Sequence, residues 1–205
     1  MVRRNLGSFL VIFFGCVWSC MCLGTPWAVD ASHADLRFKV RHMMVSNVSG
    51  AFTGITGEFN IDDHNMTKSS AMVTIDASTI DTNNAKRDEH LKNPDFFDVA
   101  KYPQIVFKSK SVTGARGKIK KIVGDLTMHG VTKEIVLDID GPTAPIKDMQ
   151  GGIRRGIAGR TKINRKDFGL TWNKVLETGG VAIGDWVDVT LDVELTQPKP
   201  TAPQS

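Results

Sequence analysis

The sequence predicts an all-β fold: about eight antiparallel strands closed into one barrel, with a short helix and loop over one end. Three observations carry this expectation. Apolar and polar residues alternate with a period of two in segment after segment, as in strands with one dry and one wet face. Glycines cluster inside those segments as well as between them. The stretch 81–92 lacks the alternation and carries helix-forming charges instead.

Along the chain, Leu36, Phe38, Val40 and His42 share one face, opposite Arg37, Lys39 and Arg41. Phe59 and Ile61 mark a second strand, and Ala71, Val73 and Ile75 a third. Ile105 and Phe107 alternate with Lys108 and Lys110; Ile122, Gly124, Leu126 and Met128 alternate with Asp125, Thr127 and His129. Ile135, Leu137 and Ile139 oppose Glu134 and Asp138, and Ile157, Gly159, Thr161 and Ile163 oppose Arg160 and Lys162. In the last strand Val187, Val189, Leu191, Val193 and Leu195 form a candidate tunnel wall, facing away from Asp188, Thr190, Asp192 and Glu194. A parallel sheet would show nearly continuous apolar runs, so the pairing is expected to be antiparallel.

Gly50, Gly54 and Gly57 in one region, and Gly156 and Gly159 in another, mark bulges, corners or close backbone approach. Such points let a sheet coil into a barrel. Asp81–Lys92 predicts the short helix, and Pro94 ends it. Phe96 and Phe97 follow as a pair of rings expected to plug the barrel end.

The chain ends predict compartment and boundaries. Arg3 and Arg4 precede an uncharged stretch from Leu6 to Leu23 centred on 9–14. That pattern predicts a signal peptide over 1–24, cleaved after Gly24, and a periplasmic location. An uncleaved membrane anchor and a lipid on Cys20 are the alternatives. Cys16, Cys20 and Cys22 all lie in this leader, so the exported chain must be stabilised by its own core. Losing Arg3 and Arg4 leaves 24 bases against 22 acids, a net charge of +2 instead of +4. That is no footprint for nucleic acid. Residues 25–196 are expected to form the barrel, and the proline-rich 197–205 a disordered tail.

The chemistry-bearing residues are sparse. The five histidines, His33, His42, His64, His90 and His129, form no HxH, HxxxH or HExxH spacing, so no metal site is predicted. No GxSxG turn offers a nucleophile, and Gly151–Gly156 matches no phosphate-cradling motif. No catalytic residue and no cofactor is expected. The dry faces supply candidates for an apolar interior: Phe38, Val40, His42, Phe59, Val73, Ile75 and Phe107 from the first strands. Leu126, Met128, Leu137, Ile157, Val189 and Leu191 come from the later ones, and Phe96, Phe97 and Trp172 from connections. His42 points inward by parity and is a candidate anchor for a ligand head group; Arg87 and His90 on the expected helix are its rivals.

Several segments, in order, resemble one known family. They are Asp30-Ala31-Ser32-His33 with Phe38–His42, Ile75–Thr82, Arg87–Leu91, and Asp95–Val99 leading to Tyr102-Pro103. Gly124–Thr127, His129–Thr132, Asn164-Arg165, Phe168-Gly169, Trp172-Asn173, Glu177–Gly180 and Gly184-Asp185 continue the series. From about Trp27 to Leu195 the chain resembles the YceI-like family of polyisoprenoid-binding proteins. Family members often carry proline and serine where Ala31 and Ala34 stand.

The resemblance implies a lipocalin-like, eight-stranded barrel with a long apolar tunnel for an isoprenoid chain. It also implies an exported, non-catalytic protein of isoprenoid-quinone metabolism, transport or storage, and raises a homodimer. The expected partner is an isoprenoid or other long-chain lipid, with transient contact to the envelope membrane. Competing expectations are a binder of fatty acids or fatty amides, and an exported enzyme acting on an amphiphile. A purely structural protein, with a barrel filled by its own side chains, is the last.

Overall fold

In the computed structural model, which describes residues 24–197 apart from Thr178, the expected closed antiparallel barrel forms. The predicted leader up to residue 23 and the predicted tail from 198 lie outside the described residues. The first tail residue, Gln197, still donates its N–H to the Ile153 carbonyl at 3.2 Å.

The first stave is β1 (Thr25–His42). The second is β2 (Ser46–Phe52) and β3 (Ile55–Ile61), one path broken at Thr53 and Gly54. β2 pairs with the second half of β1, from Leu36↔Phe52 to His42↔Ser46, and β3 with its first residues, Thr25↔Ile61 to Ala28↔Glu58. The order continues through β4 (Ser70–Asp76) to β6 (Gln104–Ala115), with the two-residue β5 (Ile80–Asp81) attached to β2. β7 (Lys118–Met128) and β8 (Val131–Gly141) follow. β10 (Ile153–Asn164) and β11 (Ile183–Thr196) complete the circle, and the short β9 (Ile146–Lys147) pairs with β10. β11 returns to β1 through Leu36↔Leu191, Phe38↔Val189 and Val40↔Val187, which closes the barrel. Eight staves result.

β1 is longer than its alternation predicts. At residues 30–33 the Asp30 carboxylate accepts from the Ser32 N–H (3.0 Å) and hydroxyl (2.6 Å), and the register to β11 shifts between Val29 and Ala34. This bulge bends the strand so that one element runs from end to end of the barrel. It also interrupts the period of two.

Two of the glycines mark close approach. A Cβ on Gly124 would lie 2.6 Å from the Phe107 ring, and one on Gly50 would overlap the Phe38 ring. Each phenylalanine thus brings the far end of its ring against a glycine of the neighbouring strand. The seam between β8 and β10 is the loosest: only Ala158–Arg160 pair with Asp138–Asp140.

Helix α1 (Ala85–Lys92) starts four residues later than predicted. Asn83 turns the chain at φ 58°, and the Asn84 side chain accepts from the Arg87 N–H at 3.0 Å. A capping asparagine must lie outside the helix, so 81–84 are extended and turn. The helix buries no residue fully and sits over one end of the barrel, with Phe96 buried and Phe97 half-buried behind it.

The opposite end is solid. Trp27, Ile61, Met66, Ile119 and Leu195 fill it. Arg155, also buried there, stacks 5.4 Å from the Trp27 ring, donates to the Thr143 carbonyl at 2.8 Å, and pairs with Asp63 at 2.8 Å. Val193 and Leu195 correct the sequence reading at this point. They face inward as predicted but belong to the packed floor, not to a tunnel wall.

Candidate functional site

Above that floor the barrel is hollow. A cavity of about 350 Å³ lies beneath α1, within the range of ligand pockets. A deeper chamber of about 90 Å³ continues towards the floor. Leu36, Ile75, Leu126, Ile163 and Val189 line both, and so form a waist between them. The interior is therefore not filled by its own side chains, which removes the purely structural reading.

Apart from Val193 and Leu195, the structure places the predicted interior residues on one of these walls. Phe38, Val40, His42, Phe96, Phe97, Met128 and Trp172 line the upper chamber. Phe59, Val73, Phe107, Leu137, Ile157 and Leu191 line the lower one; Ile75, Leu126 and Val189 belong to both. Phe96 and Phe97 serve as wall, with Phe97 edge-on to Phe52 at 5.7 Å. Alternation missed Val48 and Phe52 on β2, because Gly50 between them reads as a turn. Their i, i+2 spacing with Gly50 is the signal that finds them. It also missed Thr82, Arg165 and Leu170, which lie outside alternating segments.

Polar groups gather at the α1 end. His42, Arg87, His90, Trp172 and Ile183 are half-buried, whereas Ile75, Ile105, Leu126 and Leu170 are buried. Arg87 donates through Nε to the Thr82 hydroxyl and through Nη2 to the Thr82 carbonyl, both at 2.7 Å. The Thr82 hydroxyl in turn donates a hydrogen bond to Asp88 Oδ1 at 2.5 Å. The guanidinium is thereby held rigid, with Nη1 unpartnered among the described residues. His90 bonds Asp95 Oδ2 through Nε2 at 3.0 Å and stands edge-on to Phe96 (5.1 Å) and Trp172 (5.0 Å). The ionisable residues along the upper chamber are arginines and histidines, with no carboxylate among the described lining residues.

Arg165 frames this end from within. It is buried and donates to the carbonyls of Gly184 (3.0 Å), Trp172 (2.9 Å) and Leu170. Asp185 stands 3.7 Å away, and burial pulls the guanidinium below the usual arginine value. One side chain thus ties 170–172 to 183–184, the two segments flanking the rim.

Asp30, His33 and Glu194 bring three potential ligand atoms within 4.8 Å of one another. Arg154 already supplies the positive charge there, at 2.6 Å from Asp30 and 2.9 Å from Glu194, and it reaches Asp148 at 2.8 Å. Hydrogen bonds from Ser32, Arg154 and His33 hold the Asp30 carboxyl well below the usual carboxylate range. Arg154 also lowers the Asp148 carboxyl from its ordinary value. This cluster fastens β1, β10 and β11 outside the barrel.

Fold and cavity together define a hollow, lipocalin-like barrel with an apolar interior and a cationic rim. The YceI-like domain matches residues 27–195, and the chain belongs to that family. It is 37% identical over 184 residues to a UPF0312 protein of Vibrio cholerae, covering 85% of this chain and 93% of that one. A UPF0312 protein of Staphylococcus aureus is 37% identical over 174 residues, covering 84% and 98%. Among solved structures, the Campylobacter jejuni YceI protein superposes with a TM-score of 0.65 at 30% identity, over 78% of this chain and 91% of that one. A polyisoprenoid-binding domain from Saccharophagus degradans shares the fold, with a TM-score of 0.61 at 17% identity over 84% and 98%.

Proposed function

We propose that the protein is a non-catalytic carrier or store for a polyisoprenoid or isoprenoid-quinone-type lipid, acting in the periplasm after export. The observation that carries this reading is the two-chambered apolar interior, polar only at its α1 end. A long chain needs a smooth dry tube and one anchor for its head group. Each buried CH₂ is worth about 0.8 kcal/mol, so one five-carbon unit contributes up to roughly 4 kcal/mol before ordering costs. A few units suffice for tight binding without further polar contacts. The Saccharophagus domain supports the reading at the level of fold, since the same barrel serves there as a polyisoprenoid-binding domain.

In this arrangement the tail enters the upper chamber and passes the waist at Leu126 and Val189. The head group stays at the rim, within reach of Arg87, His90 and His42. A donor such as the Arg87 guanidinium, fixed on Thr82 by its other nitrogens, suits a quinone carbonyl or a phosphate oxygen. The test is to isolate the protein from its own cells, extract it with organic solvent and identify the bound lipid by mass. A stoichiometric isoprenoid is expected. Repeated recovery of no lipid, with no uptake of added prenyl chains, overturns the proposal, and a fatty acid or fatty amide in its place replaces the cargo.

A further inference from the structure

The β1–β2 hairpin breaks a local rule. Its central residues, Met43 and Met44, have φ of 48° and 62°, and the Val45 N–H closes the turn on the His42 carbonyl at 3.1 Å. Two positive φ values are the type I′ pattern, which favours Asn-Gly because a β-carbon is strained there. The other two hairpins with this pattern place glycine second, Arg116-Gly117 and His129-Gly130. Here the chain spends two methionines at strained positions and leaves both exposed, 45% and 54%. Strain retained at an exposed apolar tip calls for a function outside the fold.

Neighbouring residues extend the patch. Val45 is 76% exposed and Val175, on the adjoining loop, 78%. That loop is tied to the hairpin by the Met43 N–H on the Ala182 carbonyl at 2.8 Å. Trp186, 56% exposed, lies on the outer face of β11 next to the pair Val40↔Val187. The remaining exposed large apolar residues lie elsewhere: Met72 and Val136 on the barrel wall, Ile146 and Met149 in the β9–β10 hairpin at the closed end.

The patch is continuous with the cavity. His42, Ala182 and Ile183 line the upper chamber, and the very next residues outward are Met43 and Val181. A lipid tail leaving the cavity through open water would expose its CH₂ groups at about 0.8 kcal/mol each. Seating the rim on a bilayer removes that barrier. A projecting tip of flexible methionines, with a tryptophan beside it, has the form of a shallow interfacial anchor. Lys174 and Glu177 beside it offset each other, while Arg41, which donates to the Met44 carbonyl at 2.9 Å, adds one cation at the tip, so the attraction rests mainly on apolar surface with a smaller contribution from charge.

We propose that this tip, Met43–Val45 with Val175 and Trp186, docks the mouth of the barrel on a lipid bilayer. It rests on the cavity reading for its purpose, but docking is measurable on protein stripped of any cargo. The experiment is flotation of the protein, produced from the full-length gene and solvent-extracted, with vesicles of phosphatidylethanolamine and phosphatidylglycerol. The decisive variant is M43N/M44G, which suits the turn better and leaves the interior untouched. It is expected to melt no lower than wild type, to take up prenyl alcohol equally well, and to float about tenfold less.

I146S/M149S, at the closed end, is expected to float like wild type, and added salt to weaken flotation less than M43N/M44G does. Vesicles should shift the tryptophan emission to the blue, and W186F should lose that shift. Equal flotation of wild type and M43N/M44G, or flotation of neither, overturns the proposal. So does a variant that alters only self-association, because the tip then meets a second copy. Loss of prenyl uptake in wild type, with flotation intact, would instead count against the cargo.

Discussion

The two ends of the barrel each bury an arginine, and the contrast separates what closes the molecule from what opens it. At the closed end Arg155 meets a carboxylate, Asp63, lies on Trp27, and is buried on the strand pair Arg155↔Leu195 beside the packed floor. At the open end Arg165 is held by backbone carbonyls of two loop segments, with Asp185 only within 3.7 Å. The first arginine completes a packed floor. The second shapes a rim whose inner side is empty. A barrel of this size is wide enough to be filled or to hold one small ligand. Here packing decides for filling below and vacancy above.

The largest effect is expected at the waist. Val189→Trp closes the passage between the chambers and removes room for about one isoprene unit. Prenyl uptake measured by native mass spectrometry should fall about 100-fold or more, with the melting temperature little changed. Next comes Arg165→Met, which leaves the buried carbonyl of Leu170 and the half-buried carbonyls of Trp172 and Gly184 without their donor. A loss of about 3 kcal/mol in urea unfolding is expected, with weaker uptake as the rim loosens.

Arg155→Met should cost about 2 kcal/mol, while uptake by the folded protein stays within about twofold. Equal effects of the two arginine variants on uptake would break the contrast between the ends. The smallest effect concerns acid. Asp30 and Asp148 have carboxyls held below their ordinary values, so their stabilisation is complete above about pH 4 and is lost as pH falls towards the folded values. Arg154→Met should flatten this acid limb in thermal melts from about pH 4 downwards and leave the neutral-pH uptake unchanged.

The sequence was most legible where a strand has one wet and one dry face throughout. β7, β8, β10 and β11 show this directly, and their inward residues line the cavity or its floor. Chain alternation reports a dry face but not its height in the barrel, so Val193 and Leu195 read the same as Val189 and Leu191. The first half of β1 was hidden by the bulge at Asp30–His33, whose hydrogen bonds are local but whose effect is a shift of register. Arg165 gave no local signal, because its partners are carbonyls up to 19 residues away. The rim residues Arg87 and His90 were found through the helix, although the Thr82 that orients Arg87 was not.

Hollowness itself was not legible. Phe38, Phe59 and Phe107 could equally have met in the middle; instead two of the rings reach over glycine on the next strand, where any side chain would block them.

The most direct test of a tube that holds one apolar chain is a length series. Prenyl alcohols of increasing chain length should bind with affinity that rises steeply per added unit and then levels once the waist is passed and the lower chamber is full. In Val189→Trp the plateau should arrive at a shorter chain. Affinity independent of chain length, or the same plateau in both proteins, would contradict a cavity that measures its ligand by burial.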